Sequence, residues 1–302
     1  MRGIPDFSDR EGVNVIIPDY AGEDGNTPDF AKVKTVSDAV YIKKYQEPYG
    51  PDSAYGRDAD NARAAGLTVG AYLFPNWHSS ANSAQAQVQE FRNSPGDVIP
   101  HADLPPAVDV EFPGGVAATG RNPADLIEEV RLIVLEIQDQ MGVSPTIYSS
   151  YNQFYDLKFP AAPWAACCPM WVKTAYRLGA KQPPDTVQPQ PVHLGASAAD
   201  PRDYYRVPDP WAPVGFWLRQ IQGDSVGWAG FNHTVDLSVF HSLNYGDHDP
   251  LVAWLQKKIG IPVDSWFGHD TQDALKAFQA KNNLTVTGWM DVETFACLAW
   301  IS

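Results

Sequence analysis

Short apolar segments alternate with stretches of helical periodicity along the first ~245 residues, a pattern typical of βα units. The apolar segments are rich in β-branched and aromatic residues and end near polar ones, as buried strands do. Strands are predicted at 13–17, 39–44, 68–74, 106–112, 145–150, 170–176 and 216–221. The pattern therefore predicts an α/β fold in which helices surround a parallel sheet or barrel.

The clearest helix is predicted between Asn122 and Gly142. Asn122 can cap the first turn, Pro123 suits the first helical position, and Gly142 suits the residue after the end. Between them, apolar residues recur at helical spacing: Leu126, Ile127, Val130, Ile133, Val134, Ile137 and Met141. Weaker helices are predicted over 57–65 and 82–93.

Two breaks in composition divide the chain. Residues 180–214 are rich in Pro, Asp and Ala, which predicts a long irregular excursion from the barrel. A second break lies at 244–250, after which helical spacing returns. We therefore expect a barrel domain over 1–245 and a small helical domain over 246–302.

The helical domain contains an internal repeat. Residues 263–275 and 286–298 share Val, Trp, Thr and Leu at matching places, and each half is a turn that leads into a helix. Asp270 or Thr271 is expected to cap the first helix and Asp291 the second. The core of a three-helix domain would come from Leu275, Phe278, Phe295 and Leu298.

Charge and composition argue against several classes of function. A net charge of −14 argues against nucleic acid, because Lys and Arg drive that binding. No apolar run is long enough to insert into a membrane, and the opening segment lacks the apolar region of an export signal. Cys167 and Cys168 are adjacent and Cys297 is distant, so we expect free thiols; no metal or cofactor is expected.

The segment PAVDVEF carries the strongest candidate chemistry. In a strand, Asp109 and Glu111 are two residues apart and point to the same side. Glycoside hydrolysis needs one acid that protonates the leaving oxygen and a negative charge that supports an oxocarbenium-like transition state. The motif alone favours the alternative, an exposed pair of acids at a strand edge.

The wider sequence supports the catalytic interpretation. Asp109 and Glu111 lie in one of six segments that resemble, in order, the family 25 glycoside hydrolases: 16–34, 40–52, 64–74, 104–112, 146–150 and 217–240. The resemblance implies an irregular (β/α) barrel of the family 25 lysozyme type. It also implies cleavage of the β-1,4 bond that follows N-acetylmuramic acid.

The resemblance assigns roles to four acids. Glu111 matches the general acid, and Asp109 matches the acid that orients the 2-acetamido group or stabilises the developing charge. Asp236 matches the carboxylate of the last strand. For the first strand, Asp19 has the better spacing and Asp6 the better local sequence; we prefer Asp19, because spacing places a residue on the barrel rim.

Further residues match family positions that line the sugar cleft: Tyr72, Tyr148, Trp171 and Gln220. For the aromatic residues, an ordinary place in the core is an equal alternative.

Residues 249–298 resemble peptidoglycan-binding modules. The shared landmarks include Leu255, Gln256, Asp264, Phe267, Gly268, Thr271, Phe278, Gln279 and Thr294, whereas Ser265 replaces the usual glycine. The alternative is a helical cap that binds no ligand.

Together, the two resemblances imply a phage endolysin that hydrolyses the bond between N-acetylmuramic acid and N-acetylglucosamine. It would be a monomer held in the host cytoplasm, without a signal peptide, until a holin releases it to the peptidoglycan glycan strands. The alternatives are a non-catalytic wall-binding protein on a degenerate barrel and a glycosidase for another polysaccharide. An amidase or peptidase is disfavoured, because the histidines lack metal-ligand spacing. The host, the stereochemical course, and an N-acetyl or N-glycolyl sugar stay open.

Overall fold

The computed structural model describes residues 16–22, 26–77, 83–94, 103–150, 153, 157, 163–166, 168–173, 217–226, 228–248 and 250–301. Its strands are β1 (Ile16–Tyr20), β2 (Ala39–Gln46), β3 (Gly50–Pro51), β4 (Thr68–Phe74), β5 (Ala107–Asp109), β6 (Thr146–Ser150), β7 (Met170–Lys173), β8 (Leu218–Val226) and β9 (Thr234–Phe240). Its helices are α1 (Phe30–Lys34), α2 (Tyr55–Ala64), α3 (Ala84–Asn93), α4 (Pro123–Met141), α5 (Pro163–Ala166), α6 (Pro250–Ile259), α7 (His269–Lys281) and α8 (Val292–Ala299).

These strands form a closed barrel. The sheet runs in the order β1-β9-β8-β7-β6-β5-β4-β2-β3, and β1 also pairs with β2, which joins the two sides. The pairs from β1 through β2, β4, β5, β6, β7 and β8 are parallel, whereas β9 is antiparallel to both β8 and β1. The predicted α/β barrel is therefore confirmed, with an irregularity at β9.

The strand that carries the candidate acids is shorter than predicted. A strand was predicted over 106–112, but β5 ends at Asp109, and the Val110 amide makes one more bond to the Tyr148 carbonyl at 2.8 Å. The chain then turns through Gly114 and Gly115, whose φ angles of 82° and 88° suit glycine. This turn leads into a 3-10 helix over Val116–Thr119 and explains why the strand stops.

Local signals located α4 correctly. The Asn122 side chain accepts a bond from the Ala124 amide, Pro123 takes the first helical position, and Gly142 ends the helix with φ at 72°. Its buried face consists of Leu126, Val130, Ile133, Val134 and Ile137. The irregular excursion predicted over 180–214 lies outside the described residues, as do Asp6 and Cys167. Cys168 is buried and donates to the Trp164 carbonyl, whereas Cys297 is a free thiol.

The internal repeat appears as two equivalent hydrogen-bond clusters. Gln256 donates to Thr271 Oγ1 at 3.0 Å and to the Trp266 carbonyl at 3.0 Å. In the second half, Gln279 donates at the same distances to the Thr294 hydroxyl and the Trp289 carbonyl. Each buried glutamine therefore ties the preceding helix to the turn and helix that follow it.

One of the two predicted helix caps is wrong. Asp291 caps α8 by accepting from the Thr294 amide at 2.8 Å, as predicted. The residue before α7 is Gly268, and no side chain caps that helix. Thr271 is not available as a cap, because its hydroxyl accepts from Gln256 and donates to the Trp266 carbonyl.

The three C-terminal helices pack on the barrel end where the parallel strands begin. Trp217 directly precedes β8, and its indole stacks on the Phe295 ring of α8 with centroids 4.0 Å apart. Trp300 donates its indole N–H to the Asp103 carbonyl, just before β5, at 2.8 Å. Both parts contribute to one buried apolar cluster, which also contains Phe240 and Leu243. The helical part is therefore docked rather than loosely tethered.

We predict that Phe295→Ala destabilises the whole chain, because the stacked ring fills the shared apolar cluster. The free energy of unfolding should fall by about 3–5 kcal/mol, and the barrel and helices should lose structure together. Urea unfolding followed by tryptophan fluorescence and by far-UV circular dichroism measures both. Leu135→Ala, at a side chain 38% exposed on α4, is the control and should change little. A separate, unshifted transition for the barrel would contradict this docking.

Candidate functional site

Four carboxylates meet at the barrel end where the parallel strands finish. Asp19 lies near the end of β1 and is in register with Asp236 on the antiparallel β9. Asp109 is the last residue of β5, and Glu111 follows it by two. Val110, between them, is buried in the outer apolar cluster, so its two acidic neighbours face the barrel interior. The acids predicted at 19, 109, 111 and 236 are therefore brought together.

A pocket opens beside two of these acids, Asp19 and Asp109. It encloses about 210 Å³ of empty space, including the part open to solvent, and is lined by Asp19, Tyr72, Ala107, Asp109, Tyr148 and Trp171. Asp109 is 8% exposed at the base of the site, whereas the Glu111 side chain is 25% exposed. The pair thus combines a deep acid with a more accessible one.

Burial and repulsion keep protons on the deep acids. Burial raises the pKa of Asp109 well above its usual range, and the charges of Glu111 and Asp19 raise it further. Burial also raises the pKa of Asp19, with a further contribution from Asp236. In each of these two aspartates, Oδ1 is buried and has no hydrogen-bond partner among the described residues. Both observations favour a protonated carboxyl, because an unpaired buried charge is costly.

A cation that sequence reasoning missed also lies in the site. Lys173 ends β7, and its Nζ is 3.1 Å from Glu111 Oε1. Burial lowers the pKa of Lys173, but the charges of Glu111, Asp236 and Asp109 outweigh that effect and raise it. The ammonium therefore keeps its charge. The signal was present, since Trp171 and Lys173 are two apart on one strand and must share a face.

Gln220 lies in a buried chain of hydrogen bonds. Tyr148 donates its hydroxyl to Gln220 Oε1 at 2.5 Å, and Gln220 Nε2 donates to Asp236 Oδ2 at 2.6 Å. Gln220 was predicted to contact the sugar, but it is 1% exposed. Its position suits the orientation of Asp236 rather than an open contact with a ligand.

The predicted aromatic residues belong to both the pocket and the core. Trp171 donates its indole N–H to Ser238 Oγ at 2.8 Å and packs between Tyr41 and Tyr148. It is only 2% exposed, yet it lines the pocket together with Tyr72. Trp171 therefore both packs in the core and lines the pocket.

In the described part of the chain, no group of three His, Cys, Asp or Glu residues is arranged to hold a metal ion. Nor is any helix of this part both long and apolar enough to cross a membrane.

Solved structures with the same fold include several cell-wall lytic proteins. The lysozyme from Streptomyces coelicolor is 20% identical with a TM-score of 0.56, and the match covers 76% of this chain and 94% of that chain. A muramidase from Acremonium alcalophilum is 22% identical with a TM-score of 0.55, covering 75% and 93%. The CTP1L endolysin is 15% identical with a TM-score of 0.51, covering 82% and 80%. At these identities, the likeness establishes the fold.

No curated protein sequence matches the chain. Two family models do. Residues 249–298 match the putative peptidoglycan binding domain, and residues 19–191 match the glycosyl hydrolases of family 25. Because the second match covers more than half of the chain, the protein belongs to glycosyl hydrolase family 25 and is a glycoside hydrolase with a C-terminal peptidoglycan-binding domain.

Proposed function

We propose that the protein is a muramidase that hydrolyses the β-1,4 bond between N-acetylmuramic acid and N-acetylglucosamine, with Glu111 as general acid. The observation that carries the proposal is the gathering of four carboxylates at one barrel end, with the Glu111 side chain more exposed than buried Asp109. A glycosidase needs such a pairing, because one carboxyl must reach the leaving oxygen while others support positive charge on the sugar.

The chemistry follows from this arrangement. Protonated Glu111 gives its proton to the glycosidic oxygen as the bond to the anomeric carbon breaks. Positive charge then develops on the sugar ring, and the carboxyl oxygens of Asp109, Asp19 and Asp236 stabilise it. Water bonds to the anomeric carbon to complete hydrolysis, and its proton restores the Glu111 carboxyl. Asp109 also orients the 2-acetamido group in this proposal. Because the acids act in a water-poor pocket, their electrostatic effect is stronger than it would be at the surface.

The walls of the pocket supply the sugar contacts in this proposal. Tyr72, Tyr148 and Trp171 line it, and aromatic rings suit the apolar faces of sugars. Gln220 acts indirectly, because its side-chain amide holds the Asp236 carboxylate in place.

We propose that the catalytic part spans 1–245 and the wall-binding part 246–302. The short segment around this boundary is paired with the helical part, since the Met290 amide donates to the Leu243 carbonyl and the Gly246 amide donates to the Phe267 carbonyl. This segment contributes to an exposed aromatic patch formed by Tyr245, His248, Trp266 and His269. Trp266 is 44% exposed, and its ring lies parallel to that of His248. Exposed rings of this kind suit sugar stacking.

We further propose that the protein acts as a phage endolysin that is held in the host cytoplasm and reaches the wall through a holin pore. Two features support the role: the hydrolase carries a wall-binding part, and its fold resembles that of the CTP1L endolysin.

We predict that Glu111→Gln lowers kcat for peptidoglycan hydrolysis by about 10²–10⁴-fold, because the amide cannot donate the proton. Release of reducing sugar from purified sacculi measures the rate, and mass spectrometry of the released muropeptides identifies the bond that is cut. Glu128→Gln, at a side chain 53% exposed on α4, is the control. Wild-type activity in Glu111→Gln would contradict the assignment. Products that carry new amino groups rather than new reducing ends would contradict muramidase activity.

We predict that Asp109→Asn stabilises the fold by about 0.5–2 kcal/mol at neutral pH while it impairs hydrolysis. The folded-state pKa of Asp109 is raised, so its ionised form is disfavoured on folding, and this penalty grows as pH rises through that pKa. At about pH 3, the carboxyl is largely protonated in both states, and the gain should largely disappear.

Urea unfolding at both pH values tests the effect, with Asp60→Asn, at a side chain 80% exposed, as the control. A gain of the same size at both pH values would show that buried charge is not its cause.

We predict that Trp266→Ala weakens binding to sacculi by about two- to tenfold, because a stacking surface is lost. Co-sedimentation of the Glu111→Gln protein, with and without this second change, measures binding without cleavage. Tyr49→Ala, at a residue 81% exposed on the barrel, is the matched control. Equal binding by Trp266→Ala and the control would place the wall contact elsewhere.

A further inference from the structure

The ion pair between Lys173 and Glu111 is the feature of the site that the proposed function leaves unexplained. A general acid must carry a proton at the start of the reaction, yet here an ammonium lies 3.1 Å from Glu111 Oε1. The side chains of Lys173 and Glu111 are 31% and 25% exposed, so solvent screens this contact only in part. The pair therefore bears directly on when Glu111 holds its proton.

We propose that Lys173 is a positioning residue for Glu111, which aims the general acid, speeds its loss of the proton, and sets the alkaline limit of hydrolysis. This inference rests on the proposed role of Glu111. A neighbouring cation stabilises the carboxylate that remains after the proton has gone to the leaving oxygen. The same cation reduces the share of enzyme that is protonated as pH rises.

The strand geometry fixes Lys173 in this place. Backbone pairing holds it between Ser150 on β6 and Gln220 on β8. Because Trp171, two residues earlier, points into the barrel and is 2% exposed, Lys173 shares that inward direction. Lys173 on β7 and Glu111, which follows β5, lie on either side of β6. The Lys173 ammonium therefore reaches across β6 to Glu111.

Other titratable groups act on the same acid. Asp19 on β1, Asp109 on β5 and Asp236 on β9 belong to the same group of acids as Glu111, and the charge of Lys173 lowers the pKa of Asp19 and of Asp109 against the larger effect of burial. The hydroxyls of Tyr72 on β4 and Tyr148 on β6 stay protonated, since burial and the neighbouring acids raise the pKa of each. Among the described residues, Lys173 is the charged side chain that contacts Glu111 directly, and its charge is opposite in sign to that of a carboxylate.

The test is the pH dependence of kcat and KM for Lys173→Met on purified peptidoglycan. An opposite charge at this distance shifts a titration by about 1–3 pH units, so the alkaline limb should move upward by at least about one pH unit. At low pH, where Glu111 is protonated in both proteins, kcat should fall below that of the wild type. KM should change little.

Two further variants make the test specific. Lys173→Arg keeps the cation and should keep the alkaline limb. Lys34→Met removes the Lys34–Asp38 pair, which has a 2.8 Å contact and side chains 34% and 31% exposed, and should leave the whole profile unchanged. If Lys173→Met fails to fold by circular dichroism, Lys173→Gln replaces it with the same expected shift.

The outcomes separate this inference from the proposed function. An unmoved alkaline limb in Lys173→Met, with Glu111→Gln inactive, overturns the inference and leaves the muramidase proposal intact. A rise in KM with an unmoved limb also overturns it, because Lys173 would then bind substrate instead of acting on Glu111. Full activity in Glu111→Gln overturns both.

Discussion

Pairing of β1 with both β2 and β9 is the constraint on which the site depends. Asp19 and Asp236 are far apart in sequence, and only the antiparallel register of β1 and β9 places them opposite each other. The parallel strands then deliver Asp109 and Lys173 to the same end of the barrel. Since alternate residues of a strand share a face, closure of the sheet turns one residue from each of these strands toward a common interior.

Closure also creates the electrostatic character of the site. Removal from water raises the pKa values of Asp19 and Asp109, and repulsion between neighbouring carboxylates raises them further. Such an arrangement is unfavourable for folding and useful for proton transfer, a trade-off common at active sites. The Lys173 ammonium offsets part of the repulsion.

The sequence predicted best where the signal was local or where family spacing was clear. Helix α4 has its cap, proline and terminal glycine within its own segment, and its limits were predicted correctly. Asp19 was preferred by spacing, and the structure places it in the pocket. Lys173 was missed because a lysine at a strand end is usually solvated, although alternation from Trp171 pointed it inward. The contact of Trp217 with Phe295 joins distant segments, and no local pattern encodes such packing.

The docking of the helices has a geometric consequence for attack on a wall. They cover the barrel end where the parallel strands start, whereas the carboxylates lie where those strands finish. Under the proposed function, a glycan stretch bound by the helices and one bound in the pocket would therefore lie at opposite ends of the barrel.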